Sequence, residues 1–163
     1  MTRRDLLAAA VAACAGAAVY LAWGKAPPPG PEEAIRRHVV EMARAAEARD
    51  VGALMERVSP SFSAPEFGDR DALRGLLAGL LLRGEWVRAW PVDVRVTLPE
   101  GRGAHVDMRV VLGRSTAARL EDLGKDTALS GYRVELDWKR EGEAWRIVSA
   151  TARELSPAEL IAP

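Results

Sequence analysis

Apolar residues recur at three- and four-residue intervals from residue 31 to residue 84 and at every second position from residue 85 on. The first pattern predicts helices and the second predicts half-buried strands. Ile35, Val39, Met42, Ala43 and Ala46 fall on one face of a first helix, with Glu32 and Glu33 favourably placed in its first turn. Asp50 is placed to cap a short second helix carrying Val51, Leu54, Met55 and Val58, which Ser59-Pro60 stops. The turn-rich stretch SPSFSAPEFGD holds both phenylalanines, Phe62 and Phe67. Asp69 then caps a third helix with Leu73, Leu76, Leu77, Leu80 and Leu81 on one face, ended by Gly84.

In the second half, Val92, Val94, Val96 and Leu98 alternate with Asp93, Arg95 and Thr97. After PEGRG at 99–103, Val106, Met108, Val110 and Leu112 alternate with His105, Asp107 and Arg109. Residues 114–130 read as a long connection with a helical turn in AARLEDL, and two strands follow, YRVELDWKR at 132–140 and AWRIVSATA at 144–152. A tight turn at Glu141-Gly142 places Trp138 opposite Trp145, Leu136 opposite Ile147, Val134 opposite Ser149 and Tyr132 opposite Thr151, with Asp137 beside Arg146 on the other face. A loop at 99–103 pairs Val96 with Val106 and Val94 with Met108, and on the other face Arg95 with Asp107 and Asp93 with Arg109. Apolar meets apolar and opposite charges meet across strands. Helices first and strands after, with one apolar sheet face, predict an α+β domain whose N-terminal helices pack on one side of a curved antiparallel sheet.

The domain, expected over 32–163, is preceded by a Pro/Gly linker, APPPGP at 26–31, and by an export segment over 1–25. Leu6 to Trp23 are eighteen consecutive uncharged residues, just long enough to span hydrocarbon as a helix. Arg3 and Arg4 before it place the N-terminus inside and the domain outside the cytoplasm, and Tyr20 and Trp23 fall where interfacial aromatics would sit. An uncleaved signal anchor is the first reading, giving a bacterial inner-membrane protein with its domain in the periplasm. A cleaved signal is the second, supported by a TRRDLL start that resembles a twin-arginine export motif but opposed by the three prolines after Gly24-Lys25-Ala26. Lipidation at Cys14, in a lipobox-like Val11-Ala12-Ala13-Cys14, is the third.

Basic and acidic residues balance at 23 each; leaving out Arg3, Arg4, Lys25 and Asp5 gives 20 and 22, a net charge of −2. Nothing in that balance, or in the even spread of charge, favours nucleic acid. Cys14 is the only cysteine, so no internal disulfide forms. With two histidines and no clustered ligands, no metal or cofactor is expected.

The order of elements resembles the nuclear transport factor 2-like superfamily: two helices, a Phe-containing irregular segment, a third helix introduced by GDRDALRGLL, then a strand meander closing on EAWRIVSA. SnoaL-like proteins and ketosteroid isomerase share that cone-shaped fold. The resemblance covers about residues 31–153 and implies helices and a concave sheet face enclosing a pocket, used within the superfamily for isomerisation, dehydration, hydrolysis or plain binding. One fold hosts many functions.

Candidate site residues follow from the predicted register. Tyr132, Ser149 and Thr151 are polar groups on the otherwise apolar face and are the candidates for a pocket mouth that orients a ligand. Trp86 and Trp90 flank the start of the first long strand, near Pro91, and are the candidates for an interface anchor; Trp138 and Trp145 are core. His105, Asp107 and Arg109 read as a solvated ion ladder, and His38 as a surface histidine one residue off the apolar stripe. Asp93, Asp107, Glu135 and Asp137 all project away from the apolar face, so no concave carboxylate is expected there; Glu66 and Asp69 stay open as acids from the irregular segment. The function expected is a membrane-anchored, extracytoplasmic binding or assembly domain without catalysis, with a protein partner or a second copy near the membrane. The alternative is a SnoaL-like pocket enzyme (isomerase, cyclase, dehydratase or hydrolase) acting on a small hydrophobic ligand.

Overall fold

The computed structural model describes residues 29–83, 88–101, 103–115, 117, 119–122 and 129–161. The expected export segment, with Leu6–Trp23 and Cys14, lies outside them, as does Trp86. No helix among the described residues is long and apolar enough to cross a membrane. Pro31–Pro163 make one compact unit.

Helix α1 (Pro31–Glu47) opens on proline, with Glu32 and Glu33 in its first turn, and buries Ile35, His38 and Val39. It ends in a Schellman motif: the Asp50 amide donates to the Ala45 carbonyl (2.9 Å) and the Arg49 amide to the Ala46 carbonyl (3.0 Å). The left-handed residue at that stop, with φ 58°, is Arg49. Helix α2 (Val51–Glu56) is capped as expected, the Asp50 carboxylate accepting from the Ala53 amide. A two-residue hairpin, β1 (Ser63–Ala64) with β2 (Gly68–Asp69), carries Phe62 and Phe67 into the core. Asp69 then caps α3 (Arg70–Arg83), accepting from the Asp71 and Ala72 amides. The Arg70 guanidinium reaches back to the Met55 carbonyl at 3.0 Å.

Strands β3 (Arg88–Thr97), β4 (Gly103–Gly113), β5 (Leu129–Glu141) and β6 (Ala144–Glu154) form an antiparallel meander in chain order. A 3-10 turn at Leu120–Asp122 lies in the β4–β5 connection, where the sequence predicts a helical turn. One sheet face takes the helices: Ile35, Val39, Met55, Val58 and Phe62 pack against Val106, Met108, Leu136, Trp138 and Ile147.

The register departs from expectation in three places. Strand β3 has a bulge, with two residues, Asp93 and Val94, opposite Met108. Asp93 takes φ 52°, a left-handed conformation that aspartate tolerates. Val94 and Val96 therefore face the core, but Val92 pairs with Arg109 and faces outward. The β5–β6 turn is Gly142-Glu143 rather than Glu141-Gly142. Gly142 has φ 63° and occupies the first central position, which a type II′ turn reserves for glycine. Trp138 and Trp145 still share a face, but Trp138 pairs with Ile147 and Arg146 pairs with Lys139, not Asp137. Finally, Val148 is an extra residue in β6, so everything beyond it changes face.

Both sheet edges are covered. The Arg36 guanidinium donates to the Val94 carbonyl at 2.6 Å, and the Glu47 carboxylate accepts from the Ala89 amide at 3.1 Å, so α1 side chains occupy the free edge of β3. On β6 the Ile147 amide and carbonyl bond Arg57 and Ser59, and Glu66 accepts from the Ala152 amide. The last helix, α4 (Pro157–Ile161), folds over the outer sheet face. There Gly131 leaves room for Leu160: a Cβ on Gly131 would stand 2.3 Å from the Leu160 methyl. Leu155, Trp90 and Val111 are buried in this second, smaller apolar cluster, which the alternation pattern does not announce.

Candidate functional site

The helix-covered sheet face divides into a packed half and a more open half. In the packed half Trp138 is 1% exposed and the imidazole of His38 stacks on it, centroids 6.1 Å apart at 17°. Reading His38 as a surface residue is thus corrected: it is 9% exposed. Its spacing from Ile35 and to Met42 is helical, so the apolar stripe already includes position 38. His38 Nδ1 lies 3.0 Å from Glu41 Oε2, which also accepts from Arg57 at 3.0 Å. The hydrogen bond from His38, aided by the charges of His38, Arg57 and Arg37, holds the Glu41 carboxyl below its usual range against the opposing effect of burial.

The more open half is lined in register by Val110, Tyr132 and Glu154, and next to them by Met108, Val134 and Ala152. Tyr132 stands where the sequence places it, half-buried on this face. Ser149 and Thr151 do not join it: beyond the Val148 bulge they pair with Asp137 and Glu135 on the outer face. The same bulge brings Ala150, Ala152 and Glu154 to the helix side, so an exposed carboxylate does neighbour Tyr132 on the concave face, contrary to expectation. The signal was the adjacent apolar pair Ile147-Val148 followed by Ser-Ala-Thr-Ala, an alternation whose phase has already shifted.

On the outer face the charged ladder is present with some partners changed. Arg109 bonds Asp93 as expected. Asp107 lies opposite Arg95 but takes Arg133 instead, at 2.6 Å, a hydrogen bond that raises the Arg133 pKa. His105 Nδ1 lies 2.8 Å from Asp137. Arg109, Arg133 and Arg153 stand in one cross-strand row, and Glu159 from α4 answers it. Hydrogen bonds from Arg153 and Ser156 pull the Glu159 carboxyl down to about 2. Trp90 is not an exposed anchor: it is 7% exposed, packed on Gly113, and its indole Nε1 has no hydrogen-bond partner. Glu66 is bonded to the edge of β6, and Asp69 is the cap of α3.

The clefts among the described residues include three. One of about 390 Å³ lies among Pro31, Leu98, Pro99, Gly101, Arg140 and Trp145; another follows α1 and the start of β3; the third lies over the arginine row. Neither His38 nor Tyr132 lines any of them. Among the described residues no group of three or more His, Cys, Asp or Glu side chains is placed to hold a metal.

Solved structures with the same arrangement include a nuclear transport factor 2-like protein with a cystatin-like fold from Novosphingobium aromaticivorans, at 19% identity and TM-score 0.57, over 79% of this chain and 86% of that one. The chain has the nuclear transport factor 2-like fold. A proposed dehydratase of that family from Streptomyces avermitilis matches at 15% identity and TM-score 0.59, over 76% of this chain and 95% of that one. A proposed calcium/calmodulin-dependent protein kinase II association domain from Xanthomonas campestris matches at 10% identity and TM-score 0.61, over 82% and 94%. No family model and no curated protein matches the sequence. At these identities the likeness establishes the fold, and function rests on the site.

Proposed function

We propose that this chain is a membrane-tethered, extracytoplasmic domain that binds or assembles rather than catalyses. The observation that carries the reading is the disposition of its ionisable groups. The buried histidine on the helix side is committed to a Trp138 stack and a Glu41 hydrogen bond. Among the described residues the groups whose pKa is clearly moved, Glu41, Arg133, Arg153 and Glu159, are moved chiefly by hydrogen bonds and charges of their neighbours, not by an apolar pocket. A pocket acid or base of the ketosteroid-isomerase kind depends on burial to set its pKa. The tether comes from the sequence: Arg3 and Arg4, the apolar run Leu6–Trp23 and the proline linker.

The pocket-enzyme reading is favoured by one specific observation, the carboxylate of Glu154 beside the hydroxyl-bearing Tyr132 on the concave face. Incubating the full protein with small hydrophobic enones, hydroxyacyl compounds and esters separates the two. No turnover is expected; turnover abolished by Glu154→Gln would sink the non-catalytic reading. Export is tested by reporters fused after Pro163. A phosphatase that works only outside the cytoplasm should be active there, and activity of a cytoplasm-only reporter rejects the topology.

A further inference from the structure

We propose that the exposed leucine face of α3 rests on the anionic bilayer surface to which the chain is tethered, an inference that rests on the membrane-anchor reading above. From Gly75 to Leu82 the helix carries no charge. Leu81 is buried and Leu73 and Leu77 pack on the core, as an amphipathic helix requires. On the flank beside Leu73 the helix nevertheless leaves Leu76 and Leu80 exposed at 46% and 39%, and on the far side, which should be polar, it presents Leu82 at 81%. A Cβ built on Gly75 meets nothing within 4 Å, so that side of the helix is open.

The occupant follows from charge and reach. Arg74 and Arg83 flank the apolar stretch, and Asp71 is the only acid on α3. That basic frame stands out in a domain of net charge −2 (20 basic, 22 acidic) and suits an apolar helix face among anionic headgroups. The residues between the apolar run and α1, Gly24 to Gly30, reach at most about 25 Å. A domain of this length has a radius of gyration of about 14 Å, so the tether keeps it beside the bilayer while letting it turn. The other surfaces suit lipid poorly: the outer sheet face carries the ion ladder, and both edges are covered.

The test uses the full chain with Cys14→Ser and Leu82→Cys, spin-labelled at 82 and reconstituted with phosphatidylcholine–phosphatidylglycerol vesicles. A second sample carries the label at Thr97→Cys on the outer face. The protein should float with the vesicles. The label at 82 should be more accessible to oxygen than to a water-soluble nickel chelate, and the label at 97 the reverse. Leu76→Asp with Leu80→Asp, both at exposed positions, should return the label at 82 to water, lowering the docked fraction about tenfold or more per leucine, with unchanged melting. If the chain floats but label 82 is as water-accessible as label 97, the inference fails and the anchor stands. Spin–spin broadening at 82 that persists in detergent means a second copy covers the face, and the inference fails. A chain that does not float overturns the anchor reading, and this inference with it.

Discussion

Replacing Trp138 by phenylalanine should leave the domain as stable as before or slightly more so, whereas Trp138→Ala should come close to unfolding it. Trp138 is 1% exposed at the centre of the core, and its indole Nε1 is buried without a partner. Two effects oppose each other in the phenylalanine variant. The lost volume is about 40 Å³, and an unrelaxed cavity of that size costs about 1 kcal/mol. Against this, an unsatisfied buried donor costs about 1–3 kcal/mol, and phenylalanine removes it. A six-membered ring can keep the stack under His38. The alanine variant removes the ring as well, at about 3–5 kcal/mol, a large part of the roughly 5–15 kcal/mol typical of a domain. Urea titration followed by circular dichroism reads both. Loss of more than about 2 kcal/mol in Trp138→Phe would mean that Nε1 is hydrogen-bonded, through a water or a neighbour, and the reasoning falls.

A fragment beginning at Pro31 should be soluble and melt in one cooperative transition, since among the described residues the core draws on Ala34 and those after it; aggregation without a transition would show that the N-terminal segment is part of the fold. Arg49→Gly should raise stability by up to about 1 kcal/mol, because the left-handed stop of α1 strains any residue with a Cβ, and a lower urea midpoint would show that the arginine's own contacts outweigh the strain. Acid should loosen α4: the Glu159 carboxyl is depressed to about 2, so its contribution is complete above the unfolded value of about 4.3 and is lost as pH falls toward 2. Glu159→Gln should flatten the dependence of the urea midpoint on pH between about 4 and about 2, by a small amount because the pair is exposed, and an unchanged slope would refute that role.

The helices were legible from their caps, since Asp50 and Asp69 cap as read, and Val96 meets Val106 as read; the stripe of α3 was legible only in part, because Leu76 and Leu80, read with Leu73, Leu77 and Leu81, stay exposed. The sheet's faces were legible only up to its bulges. Val92, Val94 and Val96 keep unbroken alternation in the sequence, yet the left-handed Asp93 takes up a residue and turns Val92 outward. Val148 does the same in β6, and that one residue decides which of Ser149, Thr151 and Glu154 faces the concave side. Period-two reasoning assumes one residue per pleat, and a bulge breaks that assumption without changing composition. The outer cluster was illegible for another reason. It depends on two glycines, Gly113 and Gly131, whose missing side chains make the space that Trp90 and Leu160 occupy.

That outer cluster has a consequence in time. Leu155 and Leu160 follow β6 in the chain, so all four strands are made before the two side chains that pack at Gly131 on the back of the sheet. A chain broken off at Glu154 would carry a complete helix-side core and an open apolar patch on its back, the kind of surface that recruits chaperones and proteases. Such a fragment should bind more of an apolar dye than the whole domain does; equal dye binding by both would mean that residues 155–161 cover nothing. In chain order the short helix after β6 is thus the last of the described elements to reach the back of the sheet.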